Sequence, residues 1–85
     1  MMIYDVIAVR YKPNNRPDVV LFYDENREMA LKYMRKYVKS NGFSIENKDR
    51  MFSVANIVLR ERTSTGEEIG RQSYRELFDI LGKRL

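Results

Sequence analysis

The chain has 85 residues, no cysteine, no histidine and a formal charge of +4 at neutral pH. Those two absences exclude a disulfide framework, the common zinc sites, Cys-His and Ser-His-Asp catalysis and the usual general base near neutral pH. The length fits one domain (1–85) that buries roughly 60–65% of its unfolded surface. No apolar run approaches the roughly 20 residues that span a bilayer, and the N-terminus lacks the basic and apolar regions of a signal peptide, so the chain is expected to be soluble and cytoplasmic.

Ile3 to Lys12 is β-branched and aromatic, without helix punctuation, and is read as a strand. Both alternating sets are apolar in the middle: Ile7 and Val9 on one, Val6 and Ala8 on the other. That pattern suits a central strand or one covered on both faces. Pro13 to Asp18 is dense in turn formers, and Val19 to Tyr23 reads as an antiparallel second strand.

Asp24 to Gly42 is the clearest signal in the chain. Asp24 reads as the N-cap and Glu25 suits the positive end of the helix dipole. Met29, Ala30, Tyr33, Met34, Tyr37 and Val38 fall within one half of the helix and predict its buried face. Gly42 supplies the stop.

Phe43 and Ile45 suggest a short strand, followed by a turn at Glu46 to Asp49. Met51 to Arg62 predicts a strand, most clearly over Val54 to Leu59. A loop of Ser64-Thr65-Gly66 with a bulge returns the chain as Glu67 to Gln72, setting Arg62 opposite Glu68 and Glu61 opposite Ile69. Ser73 and Glu76 have the capping-box spacing, and a second helix is expected from Tyr74 to Leu81, with Gly82 ending it. The order β-β-α-(β)-β-β-α predicts an α+β fold of two layers, an antiparallel sheet of four or five strands with both helices on one face.

The charge is uneven. Residues 25–50 carry seven Lys or Arg against four Asp or Glu, an excess of +3. Lys32, Arg35, Lys36 and Lys39 on the helix, with Lys48 and Arg50 beyond it, therefore form the candidate nucleic-acid face, for DNA or RNA. Glu25 and Glu28 share that helix surface and weaken the signal, and a solvated face would look the same. Arg60, Arg62, Arg71 and Arg75 raise groove reading by a β-ribbon, but Glu61, Glu67, Glu68 and Glu76 interleave with them, so cross-strand pairing is the simpler account. Six tyrosines and four phenylalanines raise base stacking on an open sheet face, with Tyr4 or Tyr11 as candidates.

An apolar first strand whose second face lacks helices would expose Ile7 and Val9, or Val6 and Ala8, and call for a partner, which makes a homodimer or a protein–protein module the alternative function. Asp5 is out of place in an apolar strand and asks for a reason: a position near the strand's solvent end, a cation such as Arg10 or Arg60, or a metal-dependent nuclease site, which would need a second carboxylate near in space. Nothing else points to catalysis, a metal or a cofactor, and a non-enzymatic binding protein is the expectation.

Overall fold

The computed structural model describes residues 1–10, 18–46 and 52–78. Its elements in chain order are β1 (Met2–Arg10), β2 (Val19–Asp24), α1 (Arg27–Asn41), β3 (Ser44–Glu46), β4 (Phe52–Thr63), β5 (Glu68–Ser73) and α2 (Tyr74–Leu77). The expected turns over 13–17 and 47–49, and the expected helix end near Leu81 and Gly82, lie outside the described residues.

β1 is a central strand, as its two apolar alternations suggest. It pairs antiparallel with β2 on one side and with β4 on the other. β4 has 12 residues, long enough for two neighbours on its far edge. β3 pairs with Phe52–Val54, and β5 pairs with Val58–Arg62. The result is a small α+β fold, a four-stranded antiparallel sheet (β2, β1, β4, β5) extended by the short β3.

Cross-strand register sets the two faces, because directly paired residues project to the same side. Val6 pairs with Leu59 and with Phe22, and Ala8 pairs with Ile57 and with Val19. Val6, Ala8, Ile57 and Leu59 join Ala30, Leu31 and Met34 of α1, Tyr74 and Leu77 of α2, and Phe78 in one apolar core. Both helices therefore pack on this face. The other set, Asp5, Ile7 and Val58, points away from the helices and is nevertheless buried. Ile7 is fully buried, so it adds nothing to the exposed apolar patch predicted for this face.

The helix cap differs from the sequence expectation. Asp24 is paired with Tyr4 as the last residue of β2, so its backbone is committed to the sheet. Two further residues are needed to turn into the helix, and Asn26 becomes the cap. Its Oδ1 accepts from the N–H groups of Glu28 and Met29 at 2.9 and 3.4 Å. Asp24 holds the turn instead, its Oδ1 accepting from the Asn26 N–H at 2.7 Å. At the other end Gly42 adopts a φ of 65° and its N–H donates to the Val38 carbonyl at 2.8 Å. A left-handed residue at that position favours glycine.

The buried face of α1 also differs. Leu31 is buried, whereas Met29 is 46% exposed. These residues are separated by about 200° around the helix, so only one can face the sheet. Ala30, Leu31, Met34 and the half-buried Val38 define the inward direction, and Tyr33 and Tyr37 flank it.

The β4–β5 hairpin has the expected three-residue loop. The Thr63 N–H donates to the Glu67 carbonyl at 2.9 Å, and Gly66, with φ of 101°, donates to the Thr63 carbonyl at 3.0 Å. Arg62 faces Glu68 as expected, but Glu61 faces Gly70 rather than Ile69. Ile69 is an extra residue on β5, and Leu21 is its counterpart on β2, between the pairs Val6–Phe22 and Ile7–Val20. Each of these outer strands is thus bulged, which bends the edge and opposes pairing with another chain.

Ser73 caps α2, its Oγ accepting from the Glu76 N–H at 3.3 Å. The helix then stops after one turn, short of the eight residues predicted. Phe78 is extended, with φ of −131°, and its ring stacks on Tyr74 at 4.7 Å between centroids. Burying Phe78 against the sheet takes precedence over continuing a helix whose next turn begins with Asp79.

Candidate functional site

Lys32, Arg35, Lys36 and Lys39 are exposed and share one outward sector of α1, about 100° wide. At 1.5 Å per residue the four span about 10 Å along the axis. Among the described residues no ion pair engages any of them. Glu25 and Glu28 lie toward the N-terminal end of the same side, so the two C-terminal turns of the stripe carry cations alone. Lys48 and Arg50, predicted to extend the stripe, lie outside the described residues.

The arginines of the sheet are arranged differently. Asp5 is 1% exposed and holds two guanidinium groups on the face opposite the helices. Arg60 Nε donates to Asp5 Oδ2 at 3.0 Å; Arg62 donates through Nε to Oδ2 at 2.6 Å and through a terminal nitrogen to Oδ1 at 3.2 Å. The hydrogen bond to Asp5 raises the Arg62 guanidinium above its ordinary value. Register explains the meeting: Asp5 pairs with Arg60, and Arg62 is two residues further along β4 on the same face. The sequence pointed to Arg60 as a partner and missed Arg62, although period-two spacing along β4 carries that signal.

A second cluster continues across the sheet. Arg71 pairs with Arg60 in register, an arrangement that would be repulsive alone. Glu68 resolves it, accepting from Arg71 at 3.0 and 2.7 Å, with Asp18 at 3.9 Å. The Arg71 hydrogen bonds hold the Glu68 carboxyl below its usual range, and the same bonds raise Arg71. Arg60, Arg62 and Arg71 are thus matched by Asp5, Glu68 and Asp18. Arg75 lies elsewhere, with its guanidinium carbon 5.2 Å from the centroid of the Phe43 ring. Arg60, Arg62 and Arg71, weighed above as groove readers against ion pairing, are ion-paired within the protein.

The aromatic side chains are mostly committed as well. Tyr4, one of the two proposed stacking residues, lies on the helix side of the sheet and packs against the core; Tyr11 lies outside the described residues. Tyr33 stacks with Phe22 at 4.5 Å and with Tyr37 at 6.3 Å between ring centroids. Burial, and secondarily the nearby Tyr33, raise the Tyr37 phenol above its ordinary value. Phe43, Tyr74 and Phe78 form a second aromatic group that includes the first residue of α2. Among the described residues Tyr23 is the exception at 65% exposed, on the face opposite the helices, where it pairs with Asp5 in register. It borders a shallow hollow of about 330 Å³ with Ile3, Asp24 and Glu25.

Among the described residues no three carboxylates gather where a metal ion could be held, and no helix is long and apolar enough to cross a membrane. Both Asp5 oxygens accept from arginines, two hydrogen bonds on Oδ2 and one on Oδ1. Comparison with known proteins finds no matching family model, no matching curated protein and no matching solved structure.

Proposed function

We propose that this chain is a small non-enzymatic binding protein that meets nucleic acid through the C-terminal half of α1. One observation supports this reading above the others. Lys32, Arg35, Lys36 and Lys39 stand exposed within about 10 Å and have no ion-pair partner among the described residues, whereas Arg60, Arg62 and Arg71 are neutralised in place. Release of counterions from phosphates drives binding to such a surface. In this reading the fold is a two-layer one, the protein works in the cytoplasm without metal or cofactor, and the stripe lies on the outer side of the helical layer. A mobility-shift assay with DNA and RNA at about 50 mM salt tests it, and no retardation of any probe refutes it.

A second reading is a protein–protein module, homodimeric or with another protein, using the sheet face away from the helices. Val20 at 48% and Tyr23 at 65% exposure favour that face. The bulges at Leu21 and Ile69 argue against association edge to edge. Sedimentation equilibrium at high protein concentration decides whether the chain self-associates, and a monomer there eliminates the homodimer.

A further inference from the structure

We infer that the nucleic acid met by α1 is a duplex, held through its phosphates without reading of base sequence. This rests on the nucleic-acid reading above and names the form of the partner. Binding of a single strand depends on free aromatic ring faces beside cations, because stacking supplies most of the sequence-independent attraction for unpaired bases. Among the described residues the two tyrosines of α1 already make ring contacts with each other. Tyr33 is already stacked with Phe22 at 4.5 Å and with Tyr37 at 6.3 Å between ring centroids, so an incoming base would compete with existing ring contacts. Tyr23 is well exposed, but it projects from the sheet face opposite the helices, and one short strand segment cannot stack there while following α1.

Base readout is equally poorly provided for. Reading of adenine uses Asn or Gln, and reading of guanine uses a bidentate Arg or Lys oriented by neighbours. The stripe contains no Asn or Gln, and Asn41 beyond it donates to the Tyr37 carbonyl at 3.2 Å. Three of the four cations are lysines, flexible point charges that suit phosphate oxygens more than a planar pair of acceptors. What remains is a set of four exposed cations spanning about 10 Å along one side of α1, whose flexible side chains suit contacts to the phosphates of a double helix.

The test is fluorescence anisotropy with two unrelated duplexes of about 20 base pairs and with each of their separated strands, from about 50 to about 200 mM salt. Four phosphate contacts predict a slope of log affinity against log salt of about −3.6, a loss of roughly 150-fold across that range. The two duplexes are expected to bind within about threefold of each other and more tightly than either strand. Lys36→Gln is expected to bring the slope to about −2.7 while its thermal unfolding matches that of the parent, since Lys36 is exposed. Single strands binding more tightly than duplexes, discrimination between duplexes above about tenfold, or an unchanged slope in Lys36→Gln each overturn the duplex-backbone inference while leaving nucleic-acid binding in place. Absence of binding to every probe overturns both, which keeps the two failures distinct.

Discussion

Replacing Asp5 by alanine tests the principal polar interaction of the sheet. The carboxylate is 1% exposed and accepts three hydrogen bonds from two guanidinium groups. A hydrogen bond to a charged group contributes about 1.5–3 kcal/mol, but burying the carboxylate offsets much of the total. Removing one partner of a buried ion pair typically costs about 3–5 kcal/mol, because the other charge is stranded. Here the arginine side chains retain 24% and 21% exposure and recover some hydration. The expected cost of Asp5→Ala is therefore about 2–4 kcal/mol. An 85-residue domain has a total stability of roughly 4–13 kcal/mol, so this is a large fraction. At about 4–8 °C per kcal/mol the midpoint falls by roughly 10–30 °C. Urea unfolding followed by far-UV circular dichroism measures it directly. The triple replacement Asp5→Leu, Arg60→Met, Arg62→Leu removes all three charges together and is expected to restore most of the loss, as apolar substitutes for buried ion pairs commonly do. A loss below about 0.5 kcal/mol in Asp5→Ala would refute the reasoning, since that is the range of an ordinary surface substitution.

Three further outcomes are expected. Leu31→Ala should lose about 2–4 kcal/mol and Met29→Ala less than about 1 kcal/mol, measured by denaturant unfolding; the reverse order would mean that α1 presents a different face to the sheet. Glu68 has a folded-state pKa below its unfolded value, so its contribution is present above the ordinary carboxylate range and is lost as pH falls through the folded value. Glu68→Gln should accordingly flatten the acid limb of a stability–pH curve, and an unchanged limb would remove the Arg71 pair as its cause. Tyr37 has the opposite sign of pKa change: its raised phenol contributes stability below about pH 10 that is lost as pH rises through the folded value. Tyr37→Phe should remove that part of the alkaline transition in thermal melts taken between about pH 9 and 11, and an identical transition in the variant would contradict the assignment.

Much of the fold is legible in the residues because local chemistry and tertiary contact agree. The apolar middle of β1 points to a central strand, and it is one. Gly66 supplies the positive φ that a bulged three-residue loop requires, and Arg62 meets Glu68 as a consequence. Ser73 has a donor three residues ahead and caps α2. The disagreements occur where a long-range partner overrides a local preference. Asp24 is an acceptable cap by itself, but its pairing with Tyr4 makes it part of the sheet and moves the cap to Asn26. Tyr74 to Leu81 has helical spacing, but Phe78 gains more by packing on Tyr74 and the sheet than by extending one turn. The candidate cations of α1 were visible as charges on a periodic helix. That the hairpin arginines would be paired was also visible from the glutamates interleaved with them, but the pairing of Arg62 with Asp5 and of Arg71 with Glu68 was not, because it depends on which carboxylates the register places beside them.

By itself the sequence determined the absence of Cys and His chemistry, the existence and order of most elements, and the outward row of Lys32, Arg35, Lys36 and Lys39. Those follow from composition and from periodicities of 3.6 and 2.0 residues, which act over a few neighbours. Only the tertiary structure decided that Leu31 rather than Met29 faces the sheet, that Asp5 holds Arg62 as well as Arg60, and that Ile7 is buried on the face opposite α1 and α2. The rotation of a helix about its axis, and the side chains opposite a given strand residue, are set by contacts between segments far apart in the chain, which the periodicity of either segment alone does not encode.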